Sequence, residues 1–161
     1  MRTLSLAPEH LAALRRFADE AYPEECCGYL LSPPPGAGPD EVRQVVDLVP
    51  AANRSSEERG RRYVILPEEL RRTEREAEDR GVVVAGFYHS HPDHPARPSA
   101  FDQEHAWPWY AYVIVASGPA HGATRAGAFE LDPDRREFEE IGLAVGAPAS
   151  PPTVRTVGKA E

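Results

Sequence analysis

His89-Ser90-His91-Pro92, with Pro98-Ser99 and Asp102 downstream, holds the residue types of a hydrolytic metal centre. Alternate side chains of an extended strand point to one side, so His89 and His91 project together. Pro92 ends the strand by removing a ladder donor. A loop then brings in Asp102 as a third, oxygen ligand. Two imidazoles, one carboxylate and an open fourth position are the usual plan of a catalytic zinc site, whereas a closed structural site uses four protein ligands.

Such a centre activates a water, but a positioned base must still carry the proton to a leaving amine. The candidate lies far upstream, in Pro23-Glu24-Glu25-Cys26-Cys27-Gly28-Tyr29-Leu30-Leu31. There a helix is expected to end and a buried strand to begin. A carboxylate at the mouth of an apolar strand is costly without a partner. A metal centre would provide one.

These residues resemble the JAMM metalloproteases, also called MPN-plus domains. The family pattern is an early glutamate, then His-x-His-Pro, seven residues from the second His to a Ser, and an Asp three further on. Here they stand as Glu25, His89, His91, Pro92, Ser99 and Asp102, with residues 92–98 as the seven. Glu25-x-x-Gly28, Asn53, Arg62-Tyr63 and Gly86-Phe87-Tyr88 are similar to the small bacterial branch, and the resemblance covers about residues 4–141. It implies that His89, His91 and Asp102 hold one zinc ion with water as fourth ligand. It also implies that Glu25 is the general acid/base and that Ser99 donates a hydrogen bond to the developing oxyanion. The branch further implies a partner, a ubiquitin-like sulfur-carrier protein cut after its C-terminal Gly-Gly.

Other readings of the same residues stand beside this one. Ser99-x-x-Asp102 fits a capping box at a helix start, and a residue fixed there would be a well-oriented ligand. Cys26 and Cys27 could supply a thiol nucleophile, or simply pack at the start of the strand. No Cys-x-x-Cys spacing exists, which excludes a four-cysteine zinc site. His94 could touch substrate or be a solvated loop residue, His105 could support a ligand, and His10 and His121 suggest only surface. Arg54, Arg59 or Arg61 could meet a substrate. A catalytically silent scaffold, or a hydrolase of other small peptide and protein conjugates, remains an alternative function.

At 161 residues the chain has the size of one domain, and its 41% hydrophobic content suits a folded core. The net charge of −8 argues against non-specific nucleic-acid binding. No apolar run approaches the roughly 20 residues of a membrane span. The N-terminus lacks a secretory apolar region, and two adjacent cysteines without a disulfide framework fit the cytoplasm. A homodimer is left open.

The elements needed to position the site follow from the pattern. Leu11, Leu14, Phe17, Ala18 and Ala21 predict a helix over 8–22. Strands are expected at 28–32, 41–49, 63–66, 82–88 and 110–116, and a helix from Pro67 to Arg80 stopped by Gly81. Asp102 to about Trp107 suggests a short helix. Residues 124–131 and 137–143 suggest a hairpin around Asp132-Pro133-Asp134. From Ala144 the chain turns Ala-, Pro- and Gly-rich, so residues 1–143 are expected to form the domain and 144–161 a mobile tail. The pattern alone gives mixed α and β. The resemblance implies an α/β fold of cytidine-deaminase type, a curved mixed sheet flanked by helices.

Overall fold

The computed structural model describes residues 2–36, 42–119, 126–134 and 136–146. Helix α1 (Pro8–Ala21) begins with proline in its first turn, where the missing N–H costs no hydrogen bond. It buries Leu14 and Ala18. Strand β2 (Cys27–Ser32) is buried along its whole length. Helix α2 (Pro67–Asp79) buries Thr73 and Ala77 and gives way to Gly81 at φ +73°. Strand β5 (Val83–Pro92), helix α3 (Ala100–His105) and strand β6 (Ala111–Ser117) follow. The expected hairpin is present as β7 (Ala126–Leu131) and β8 (Phe138–Val145). Strand β8 runs two residues past Leu143, and residues 147–161, most of the expected tail, lie outside the described residues. His121 lies outside them too.

Two expectations are corrected, and one strand adds to those expected. Residues 3–6 form a strand, β1 (Thr3–Leu6), which their short alternation next to a helix start concealed. The single strand expected over 41–49 is two strands, β3 (Val42–Gln44) and β4 (Asp47–Ala51). The residues between them change partners: Val45 N–H donates to Ser5 O at 2.9 Å and Val46 N–H to Leu31 O at 2.8 Å. No strand forms at 63–66, where Val64 is tied to the 53–54 segment by a mixed pair of bonds, its N–H donating to Asn53 Oδ1 at 3.2 Å and its O accepting from Arg54 N–H at 2.9 Å.

Among the described residues the sheet has eight strands in the order β3-β1-β8-β7-β6-β5-β2-β4. Its two outermost strands are separated in sequence by only Val45 and Val46, so the sheet must curl until its ends meet. Val45, fully buried, fills that seam. The pairing is mixed: β5 and β6 run parallel, while β2 runs antiparallel to β5. One face packs Leu30 and Tyr88 with Leu14 and Ala18 of α1. The other carries Tyr29 and Phe87, with Leu70 of α2 against them. Alternation along β5 therefore puts His89 and His91 on the Phe87 side.

Gly86 keeps β5 against its parallel neighbour. A Cβ there would stand 1.8 Å from Ala111 O, a main-chain atom of the central pair. Gly86→Ala is expected to destabilise the fold by roughly 3 kcal/mol or more, measured as a lowered urea midpoint with an unchanged slope.

Candidate functional site

Antiparallel pairing brings the start of β2 to the end of β5, and the register sets Cys27 opposite His89. Glu25 therefore arrives beside the two histidines although more than sixty residues separate them in sequence. Its backbone is tied down as well. Glu25 N–H donates to Arg59 O at 2.7 Å, and Asn53 Nδ2 donates to both Glu25 O (3.3 Å) and Arg62 O (2.9 Å). Cys26 N–H donates to Ser90 Oγ at 2.8 Å, which locks the same junction onto β5 from the opposite face.

Three donor atoms converge in front of β5. His89 Nε2 and His91 Nε2 lie 3.0 Å apart, and Asp102 Oδ2 is 3.2 Å from the first and 3.1 Å from the second. All three residues are buried. Glu25, His89 and His91 also form a triad whose ligand atoms lie within 4.8 Å of one another. Pro95 O can only accept, so His91 Nδ1, 2.9 Å away, carries the proton and turns the Nε2 lone pair inward. Tyr63 stacks on His89 with ring centroids 4.4 Å apart and fixes its plane.

Neighbouring ligand atoms of a tetrahedral site with bonds of about 2.0–2.1 Å are about 3.3 Å apart. The observed triangle is close to that edge length. Three inward-facing electron-pair donors at such separations are mutually repulsive unless a cation or protons lie between them, and a metal ion at the centre satisfies all three. The donor set thus fits a metal ion.

Asp102 comes from α3, whose N-terminus is a reciprocal capping box. Ser99 Oγ accepts from Asp102 N–H at 3.1 Å, while Ser99 N–H donates to Asp102 Oδ2 at 2.8 Å. The capping reading and the ligand geometry coexist. With its lone pair taken by Asp102 N–H, the Ser99 hydroxyl retains its own proton for donation. Ser99 and Glu25 line the same cleft.

The electrostatics divide the two carboxyls. Burial pushes the Glu25 carboxyl up to about 8, with the Asp102 charge adding to it and His91 opposing. Burial would raise Asp102 too, but His89, His91 and the Ser99 N–H outweigh it and hold the carboxylate below its usual range. Burial lowers His89. For His91, burial is overcome by Asp102 and Pro95, and the ring is raised. Two acids in one site are thereby kept apart in role, one ionised and one near neutrality.

A family model described as prokaryotic homologs of the JAB domain matches residues 7–129. The chain belongs to that family. Within the JAB-domain group it is similar to a desampylase of Haloferax volcanii, with 37% identity over 124 residues, covering 76% of this chain and 79% of the other. It is also similar to a protein of Salinibacter ruber solved in solution, with 40% identity, TM-score 0.64, and 94% and 95% of the two chains covered. A JAB1/MPN domain protein of Archaeoglobus fulgidus, 19% identical, shares the fold at TM-score 0.53 over 89% and 98% of the chains. The curled α/β sheet is thus the JAB1/MPN architecture expected from the resemblance.

Other sequence candidates fall in different places. Arg54 is held by Glu69 at 2.8 Å and Arg59 Nε by Ser55 O at 2.8 Å, whereas Arg61 and His94 line the cleft with Glu25. His105 stacks on Phe101 and hydrogen-bonds its carbonyl, away from the donor triangle. Both cysteines are free thiols. Burial pushes Cys27 up to about 12 and raises Cys26, which opposes a thiolate nucleophile. Sequence reasoning missed Ser90 and Arg97. The first is hidden between the histidines, and the second gains its place only through the fold of the 92–99 loop.

The raised Glu25 carboxyl has a measurable consequence in metal-free protein. An unfolded glutamate loses its proton near 4.5, the folded one near 8. The native state holds the proton more tightly across that window, so this stability is full below about 4.5 and is lost as pH rises to about 8. Glu25→Gln, measured by chelated urea unfolding, is expected to flatten that fall.

Proposed function

We propose that this hydrolase of the JAB-domain family is a zinc-dependent isopeptidase cutting the amide bond after the C-terminal Gly-Gly of a ubiquitin-like sulfur-carrier protein in the cytoplasm. The observation that carries the reading is the buried convergence of His89 and His91 with Asp102 on one side and Glu25 on the other, Glu25 and His91 lining one cleft with Ser99. Similarity to a desampylase supports a ubiquitin-like protein as the acyl half of the substrate. Glycines there would let the substrate backbone approach the buried donors closely. Two imidazoles and a carboxylate favour zinc among the common ions.

His89, His91 and Asp102 would hold the ion, which when bound makes a water acidic enough to react near neutrality and polarises the carbonyl. Glu25 accepts the proton of the attacking water and passes it to the departing nitrogen. Burial raises this carboxyl in the metal-free protein, and the charge of a bound ion beside it would favour the ionised form that accepts the proton. Ser99 donates its hydroxyl proton toward the carbonyl oxygen as negative charge develops there. The capping bond from Asp102 N–H fixes the hydroxyl oxygen in advance. Pro95 O and Tyr63 keep the imidazoles from rotating.

Two measurements test this together: metal content by elemental analysis, and release of the amine from a Gly-Gly-linked carrier by intact mass. Glu25→Gln is expected to keep its zinc and lose turnover by roughly a hundredfold or more. His91→Ala should lose both. Cys26→Ala should change neither, and alkylation sensitivity combined with indifference to chelators would overturn the reading in favour of a thiol enzyme.

A further inference from the structure

We infer that Tyr22 and Asp93 are positioning residues of the donor cluster, their hydrogen bond setting the turn after β5 so that Pro95 O meets His91 Nδ1. This role rests on His91 being a metal ligand, as proposed above. The Tyr22 hydroxyl donates to Asp93 Oδ2 at 2.7 Å across 71 positions of sequence. Pro95 O stands 2.9 Å from His91 Nδ1 in the same loop. A loop carbonyl can fix a ligand's ring only where its own loop is held from outside. Asp93 supplies two such holds: its N–H donates to Ser117 O at 2.7 Å, and its carboxylate takes the Tyr22 hydroxyl.

The local backbone is shaped for this bond. Strands β5 and β6 pair in register as far as Pro92 and Ser117, so Asp93 and Gly118 leave the sheet side by side. Both are left-handed, Asp93 at φ +59° and Gly118 at φ +108°. A Cβ at Gly118 would stand 2.2 Å from Asp93 Oδ1 and 3.1 Å from Tyr22 Cε2. Glycine there makes the room in which the carboxylate and the phenol meet. Tyr22 is itself held by the end of α1, its N–H donating to Ala18 O at 3.1 Å. A little further on, the same segment delivers Glu25, whose N–H is taken by Arg59 O. One hydrogen bond thus joins the segment that brings the proton-carrying group to the loop that orients a ligand.

The two imidazoles differ in how their ring protons are set. Among the described residues, His89 Nδ1 is buried without a hydrogen-bond partner. His91 has Pro95 O, and a carbonyl kept in place there holds the ring proton on Nδ1 and the lone pair on Nε2. Release of the turn would let the proton move to Nε2, where it faces Asp102 Oδ2 and closes the donor set. Tyr22 is 38% exposed and Asp93 lies at the surface too, so water competes for their bond and its loss costs global stability little. The effect of the pair falls on the ligand.

The test compares full-length wild type with Tyr22→Phe, which keeps the ring and removes the donor. Zinc affinity is read by competition with a chromophoric chelator, and exchange of the His91 Nδ1 proton with water by NMR of isotope-labelled, zinc-loaded protein. The urea midpoint under chelation reports stability. Tyr22→Phe is expected to weaken zinc by about fivefold and to speed the ring exchange, with the urea midpoint unchanged. Asp93→Ala should move both ligand readouts the same way. Asp93→Asn keeps an oxygen acceptor and tolerates the left-handed backbone, so it should stay within about twofold of wild type. Unchanged zinc affinity and ring exchange in Tyr22→Phe would overturn the positioning role and leave the metal centre standing. Weaker zinc with a lowered urea midpoint and unchanged ring exchange would make the bond a matter of stability alone and overturn the role as well. If wild type binds no zinc, the metal centre fails and the His91 ring of metal-free protein decides. A shift toward the Nε2–H tautomer in Tyr22→Phe then supports the positioning role, and an unchanged tautomer overturns it.

Discussion

One oxygen atom, Asp102 Oδ2, is the meeting point of the structure. It accepts from the Ser99 amide at 2.8 Å and stands just over 3 Å from the inward nitrogens of His89 and His91. The carboxylate is almost wholly buried, and in such surroundings each contact is strong and each missing partner expensive. Helix α3, the loop from Pro92 to Ser99 and the end of β5 must all take their places for that atom to be satisfied. The first turn of α3 adds its N–H dipoles to the same negative charge.

The sheet makes that meeting possible by being mixed. With β6 parallel on one side of β5 and β2 antiparallel on the other, the end of one strand lies beside the beginning of another. A helix can then cap the exit of β5 while a carboxyl enters with β2. A purely antiparallel meander would have filled the first position with a hairpin turn. The two polar loops at this end, 52–62 and 92–99, add the side chains that face outward from the donor cluster.

Much of the centre was legible in the sequence because its elements are local. His89 and His91 are two apart on a strand, and Ser99 and Asp102 are three apart at a helix start, so period alone aligns each pair. The approach of Glu25 was not legible from period, because it depends on a strand register set by side chains elsewhere; family resemblance supplied it. The split between β3 and β4 was hidden for a related reason. Val42, Val45, Val46, Leu48 and Val49 all favour extended backbone, and nothing in their identities says that Val45 and Val46 bond to different strands. Tyr63 to Leu66 shows the converse, an apolar run in which Val64 divides its main-chain bonds between the Asn53 side chain and the Arg54 N–H instead of joining a strand ladder.

The position of β1 between β3 and β8 has a consequence for how the molecule is made. Thr3 to Leu6 pair in parallel with Gly142 to Val145, so the first strand of the chain needs the last described one as its neighbour. Contacts spanning nearly 140 positions carry the greatest loop-closure cost and form late. During synthesis the emerging chain can pair β2, β5 and β6 early, but Leu4 and Leu6 stay without their β8 partners until translation has passed Val145. Any stop or cleavage before that point would leave a β1 edge and its leucines uncovered, which is a marker that quality control by proteases can recognise.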